Sequence, residues 1–279
     1  MEHLLSVPGA VLCASTCGDP RDPALLLIGG AASSLDGWDD ALCAALAAGG
    51  RYVIRYDHRD TGRSSTGAPG KPTYTGDDLA LDALRVLDGL EIERAHLMGV
   101  SMGGAIAQTL ALEHPERVLT LTLVATSPVV ATGHDLPGPD PVVQAVFADP
   151  PPDPDWADDE AVAWYLAEAE RPFQGAGYDP VRALKIARQT VARSHDPAAA
   201  ANHWQVSGTE TTGSLANLAA PTLVLHGTAD PLFPPDHGRA LAEAIPDARL
   251  VLLDRMGHQV PPPETWPQVV REVLAHTAR

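Results

Sequence analysis

Gly99-Val100-Ser101-Met102-Gly103-Gly104 is the stretch that decides how the rest of the chain is read. It follows the apolar run Ala95 to Val100 and opens the Ala-rich run Met102 to Leu112, which stops before His114-Pro115. The first run predicts a buried strand and the second a helix. A Gly-x-Ser-x-Gly pattern between a strand and a helix is a tight turn that exposes the serine hydroxyl. Glycine is needed there because a side chain at either flank would collide with the neighbouring strand or helix. The helix N-terminus adds partial positive charge where an oxyanion would form. Ser101 is therefore the candidate nucleophile, and the N–H of Met102 a candidate oxyanion donor.

The surrounding pattern repeats the same alternation. Strands are expected at Ala24 to Ile28, Tyr52 to Tyr56 and Val118 to Ala125, with a helix over Asp77 to Leu90. After a break, strands are expected at Pro221 to His226 and Arg249 to Leu253, with helices over Gly238 to Ala244 and Trp266 to Ala278. Strands alternating with helices imply an α/β fold with a mostly parallel central sheet flanked by helices. The alternation fails between 129 and 213. Pro137 to Pro154 is crowded with Pro, Asp and Gly and reads as a linker, neither strand nor regular helix. Helical stretches follow near Asp158 to Arg171, Pro180 to Ser194 and Pro197 to Trp204. The expected organisation is a core of 1–128 and 214–279 with a helical cap, 129–213, inserted over the carboxyl ends of the strands.

A serine hydroxyl needs an imidazole to take its proton and a carboxylate to orient that imidazole. Here the order along the chain should be Ser, then Asp or Glu, then His. Of eleven histidines, His258 lies in a loop just after the strand Arg249 to Leu253, at the same sheet edge as the serine turn. His58, His96, His114, His226, His237 and His276 read as structural or surface residues. Asp230, in Gly227-Thr228-Ala229-Asp230-Pro231, follows the strand Pro221 to His226 and is the candidate acid. Asp254 is its rival, nearer in sequence to His258, and Asp236 reads as a solvated residue at a helix start. The second oxyanion donor should come from the loop after Ala24 to Ile28, where Gly29-Gly30 lets the backbone approach a ligand; Gly30 is the candidate.

Composition narrows the class of partner. The formal net charge of −17 repels phosphate backbones and anionic membranes, which argues against nucleic acid. No run reaches about 18 apolar residues, and the N-terminus has no basic region followed by an apolar one, so neither a membrane span nor a signal peptide is expected. Cys13, Cys17 and Cys43 form no metal-binding or redox spacing, so no metal site is expected and reduced cytoplasmic thiols fit best. About half of the aromatic residues fall in 129–213, among them Phe147 and Tyr178. Trp156, Trp164, Tyr165, Phe173 and Trp204 are the candidate lining of a site for a bulky apolar or aromatic ligand.

With these residues in place, the chain resembles the α/β-hydrolase superfamily over nearly its full length, and most closely the aclacinomycin methylesterase type. The resemblance is carried by Ala24-Leu25-Leu26-Leu27 with Gly29-Gly30 and Gly37-Trp38, by Ile54 to Ser64, and by Gly99 to Gly103. Pro221 to Val224 with Asp230-Pro231, Met256-Gly257-His258 and Leu274-Ala275-His276-Thr277 complete it. Many members of the wider superfamily have glycine where this chain has Asp60. The resemblance implies an α/β-hydrolase fold, a Ser101-Asp230-His258 triad, Gly30 and Met102 as oxyanion donors, and no cofactor. It also implies cleavage of a methyl ester on an aromatic polyketide-like small molecule. A lactonase, a carbon–carbon bond hydrolase or a perhydrolase would use the same three residues, and a ligand receptor could keep the fold without turnover. A monomer or homodimer would serve any of these.

Overall fold

The computed structural model describes residues 1–278 of the chain. The strands are β1 (Glu2–Val7), β2 (Ala10–Cys17), β3 (Ala24–Ile28), β4 (Tyr52–Tyr56), β5 (Ala95–Val100), β6 (Val118–Val124), β7 (Thr222–Gly227) and β8 (Arg249–Leu253). They form one sheet in the order β1-β2-β4-β3-β5-β6-β7-β8. β1 and β2 run antiparallel at one edge, and every pairing from β4 through β8 is parallel. This is the mostly parallel, helix-flanked sheet expected from the alternation. β3 and β5 are buried along their whole length, as strands in a parallel sheet covered on both faces must be.

Helices α1 (Asp40–Ala48), α2 (Gly76–Gly89) and α3 (Met102–Glu113) lie between the first six strands. Between β6 and β7 the chain leaves the sheet for α4 (Pro141–Ala148), α5 (Asp159–Ala169), α6 (Arg171–Gln174) and α7 (Pro180–Arg193). Helices α8 (Asp236–Ala244) and α9 (Trp266–His276) return it to the sheet. Two apolar clusters fill the molecule's centre, one built around Leu26, Leu97 and Leu121 and the other around Leu27, Met98 and Leu225. Alternate residues of β3 and β5 divide between them, as a period of two requires.

Four features depart from the sequence reading. The β1–β2 hairpin and α1 were not expected. The stretch Pro137 to Pro154 contains a regular helix, α4: Pro141 sits at its first position, where a missing N–H costs nothing. Pro197–Trp204 is 3-10 rather than α-helical.

Candidate active site

Everything at the site hangs on the turn between β5 and α3. Ser101 sits at φ +53°, ψ −119°, a conformation that a residue with a side chain adopts only under constraint. The constraint comes from packing. A Cβ on Gly99 would stand 2.1 Å from the Gly103 carbonyl oxygen, and one on Gly103 would stand 2.2 Å from the Ile28 carbonyl oxygen. Only hydrogen at both positions lets α3 start hard against β3 and β5. The Ser101 N–H donates to Val124 O (3.0 Å) and the Thr126 hydroxyl donates to Ser101 O (2.8 Å), fixing the turn from the β6 side.

The loops after β7 and β8 bring the other two side chains to the same edge. His258 Nε2 lies 2.9 Å from Ser101 Oγ, and His258 Nδ1 lies 3.0 Å from Asp230 Oδ2. An ionised carboxylate can only accept, so Nδ1 carries the ring proton and Nε2 presents its lone pair to the serine hydroxyl. Asp230 is buried, and its Oδ1 accepts the N–H groups of Leu232 (3.0 Å) and Phe233 (2.8 Å). Each carboxylate oxygen is thus committed, one to its own loop and one to the imidazole. His226 stands 3.6 Å from Asp230 Oδ2, but its Nε2–H donates to Phe233 O (2.8 Å), and burial lowers its pKa. The rival Asp254 is exposed, and Asp236 pairs with Arg239 on the surface.

Met102 is the first residue of α3, so its N–H is one of the amides a helix start leaves without an internal acceptor. Gly30 lies against the serine: a Cβ there would be 3.6 Å from Ser101 Cβ. Both candidate donors therefore lie next to the nucleophile, Met102 in the chain and Gly30 across from it.

The five aromatic candidates separate. Phe173 reaches the site, its ring centroid 6.4 Å from that of His258, and its carbonyl accepts the His258 N–H (2.8 Å). Trp156 and Tyr165 pack edge to face on each other (5.8 Å) beside the small apolar core of α5 and α7. Trp164 and Trp204 are exposed, at 48% and 65%. Two other phenylalanines complete the surroundings of the histidine. Phe233, held by the Asp230 turn, lies edge-on to His258 at 5.3 Å, and Phe147 on α4 lies 6.0 Å from Phe173. The spacing Asp-Pro-x-Phe was a usable signal for Phe233, since an Asp turn fixes the residue three further on. Among the described residues no group of His, Cys, Asp and Glu could hold a metal, and no helix is long and apolar enough to cross a membrane.

A strained serine at a strand-to-helix turn, a histidine on its hydroxyl and a buried aspartate behind define a class, that of hydrolases working through an activated serine. The family model for the alpha/beta hydrolase fold matches residues 23–262, so the chain belongs to that family, and it is a serine hydrolase. Over 93% of its length it is 35% identical to rhodomycin D methylesterase DnrP of Streptomyces peucetius, covering 92% of that protein. It is 32% identical to a putative carbamate hydrolase RutD of Pseudomonas savastanoi, over 87% of this chain and 89% of that one. Among solved structures it is similar to the enol-lactonase from Burkholderia xenovorans LB400, with TM-score 0.75 and 26% identity over 99% of this chain and 100% of that one.

Proposed function

We propose that this protein hydrolyses a carboxylic ester, a methyl ester on a bulky aromatic polyketide-like acid, through an acyl-enzyme on Ser101. The observation that carries this reading is the unbroken relay from Asp230 through His258 to Ser101 at 3.0 and 2.9 Å. His258 Nε2 takes the Ser101 proton as Oγ attacks the ester carbonyl. The oxyanion is held by the N–H groups of Met102 and Gly30. The imidazolium returns its proton to the leaving methoxide, and methanol departs. Water, deprotonated by the same Nε2, attacks the acyl carbon; Ser101 recovers its proton and the free acid leaves.

The substrate class draws support from two sides. The relative DnrP is named for methyl-ester cleavage on rhodomycin D. The site's own wall is aromatic where it meets the histidine, with Phe173, Phe233 and, beyond them, the half-exposed Phe147. A flat apolar acyl group buries well between such rings, while methanol needs almost no room. In this reading 129–213 is the lid over a core of 1–128 and 214–279, and only Phe173 of the five aromatics expected there touches substrate.

The test is turnover against a panel: methyl esters of polycyclic aromatic acids, nitrophenyl acetate, an enol lactone and a carbon–carbon hydrolase substrate. The aromatic methyl esters should give the highest kcat/KM, and Ser101→Ala should lose activity by about 10⁴-fold or more without a change in Tm. Full activity of Ser101→Ala would end the proposal. A preference for the lactone would keep the nucleophile and replace the substrate.

A further inference from the structure

The loop that carries Gly30 is gripped by two buried histidines that the hydrolytic steps do not use. His58 is fully buried, and its Nε2 bonds the Gly29 carbonyl (3.1 Å). His203, from the 3-10 run Pro197–Trp204, takes hold further along. Its Nδ1 lies 2.8 Å from the amide of Ala32, and its Nε2 lies 2.8 Å from the carbonyl of Arg59. An amide can only donate and a carbonyl can only accept. The ring is therefore neutral, protonated at Nε2 and accepting at Nδ1.

The residue it holds is strained. Gly30 to Ser33 form a turn closed by Ser33 N–H to Gly30 O (3.3 Å), and the third residue of that turn, Ala32, sits at φ +58°. That position favours glycine, and an alanine there persists only where its surroundings over-determine it. The neighbouring Asn202 is held as firmly: its Nδ2 donates to the buried Asp60 carboxylate (2.8 Å) and its Oδ1 accepts Gly70 N–H (2.7 Å). The 3-10 run is thereby seated where His203 meets the loop.

The geometry points to His203 as a positioning residue for the oxyanion loop: by accepting the Ala32 N–H it holds the strained turn that sets the Gly30 N–H beside Ser101. This rests on Gly30 being the second oxyanion donor. It makes the loop's shape depend on a side chain from the insertion between β6 and β7, so transition-state stabilisation requires that insertion to be seated. Burial lowers the pKa of His203 and pushes that of His58 down to about 3.

Three variants separate the two ends of the ring. His203→Gln keeps a donor for Arg59 and loses the acceptor, His203→Asn keeps an oxygen near the Nδ1 position, and His203→Phe keeps only the volume. The Gln and Phe variants should lose kcat by roughly 10- to 100-fold with KM unchanged, as a displaced donor does. Their inhibition constant for phenylboronic acid, which forms a tetrahedral adduct on Ser101, should rise in proportion. The Asn variant should stay within about threefold of wild type on the same readouts. Hydrogen exchange at the Ala32 amide should speed up in Gln and Phe and stay slow in Asn. Equal kcat in the Asn and Gln variants, a loss expressed in KM alone, or unchanged Ala32 exchange would overturn the assignment. Should Phe not fold, the Asn and Gln pair decides. Should the wild type turn over no ester and bind no boronate, the hydrolytic reading fails, and Ala32 exchange still decides whether His203 holds the loop.

Discussion

The sheet and the insertion between β6 and β7 are held in shape by different forces. At the sheet edge the backbone itself is the constraint, with carbonyl oxygens barely more than 2 Å from where the Gly99 and Gly103 side chains would begin. The insertion has a small core of its own, Val162, Ala163, Ala167, Ala183, Ala187 and Val191, built mostly from alanine. Val130 and Val206 pack against the central core, and other ties to the rest of the chain are polar. Arg193 on α7 reaches Asp57 (2.9 Å), Asp36 (2.6 Å) and Glu2 (3.1 Å), and Asn202 and His203 bond the loops below. The contrast teaches that the serine turn is set by the packing of the sheet itself, while the insertion is seated through specific polar contacts, one of which, at His203, reaches the loop that carries Gly30.

Gly103→Ala should break the comparison at its stiffest point. The new methyl meets the Ile28 and Gly29 carbonyls of the sheet, neither of which can move without displacing β3. Overpacking against side chains costs about 1–3 kcal/mol, and against backbone the loss should be at least about 4 kcal/mol. Urea unfolding would measure it, and a variant of wild-type stability would show the edge to be far softer than its contacts indicate.

Acid should attack the sheet side next. Burial pushes the pKa of His58 to about 3 and that of His96 to about 4, from an ordinary 6.5. Between those values the unfolded chain binds protons that the folded chain refuses. Stability is therefore fully present above pH 6.5 and is lost as the pH falls. At pH 5 each histidine should cost about 2 kcal/mol, a figure set by the unfolded pKa and insensitive to the folded one once that lies below 5. Unfolding free energies at pH 7.5 and pH 5 should differ by about 4 kcal/mol from these two groups alone. A flat profile would contradict neutral burial of the rings.

Arg193→Met tests the insertion's own anchor. Asp57 is fully buried and would keep the N–H groups of Leu35 (2.8 Å) and Arg63 (3.0 Å) but lose its countercharge. The cost should be about 2–3 kcal/mol, since the guanidinium is only partly desolvated. Limited proteolysis should cut within 137–154 several-fold faster than in wild type. Unchanged proteolysis would mean that the insertion is seated by something other than this cluster.

The sequence was legible where apolar patterning and geometry coincide. β3 is a continuous apolar run and β5 one interrupted only by His96 and Gly99 because both faces are covered, and the serine turn is legible because its glycines have no substitute. β1 and β2 were missed because an edge hairpin is only half buried: β1 alternates exposed with partly buried residues, among them His3 and Leu5. α4 was hidden by its prolines, although Pro141 suits a helix start. The aromatic lining was least legible, because composition counts rings and says nothing about where they point. Asp60 is instructive in another way. It occupies φ +64°, where glycine would be easiest, and its buried carboxylate takes the Tyr74 hydroxyl (2.7 Å), the Asn202 amide and the Gly67 N–H (2.6 Å). The strain at that residue is offset by three hydrogen bonds only a carboxylate can accept together.

The smallest effect sharpens the comparison most. Trp164 is the bulkiest residue of α5, and composition alone makes it a candidate for binding aromatic substrates. At 48% exposure it has little packing to lose, so Trp164→Ala should shift stability by less than about 0.5 kcal/mol. Its neighbour in kind, Phe173, stands against the histidine ring. Phe173→Ala should raise KM for a polycyclic methyl ester by about tenfold and leave nitrophenyl acetate nearly unaffected, as loss of roughly 1.4 kcal/mol of ring contact predicts. The ratio of the two esters' KM values in the two variants is the measurement. If Trp164→Ala moves that ratio as far as Phe173→Ala does, the substrate lies across the outer face of the insertion, and the division between a rigid reacting edge and an aromatic wall beside His258 has been drawn in the wrong place.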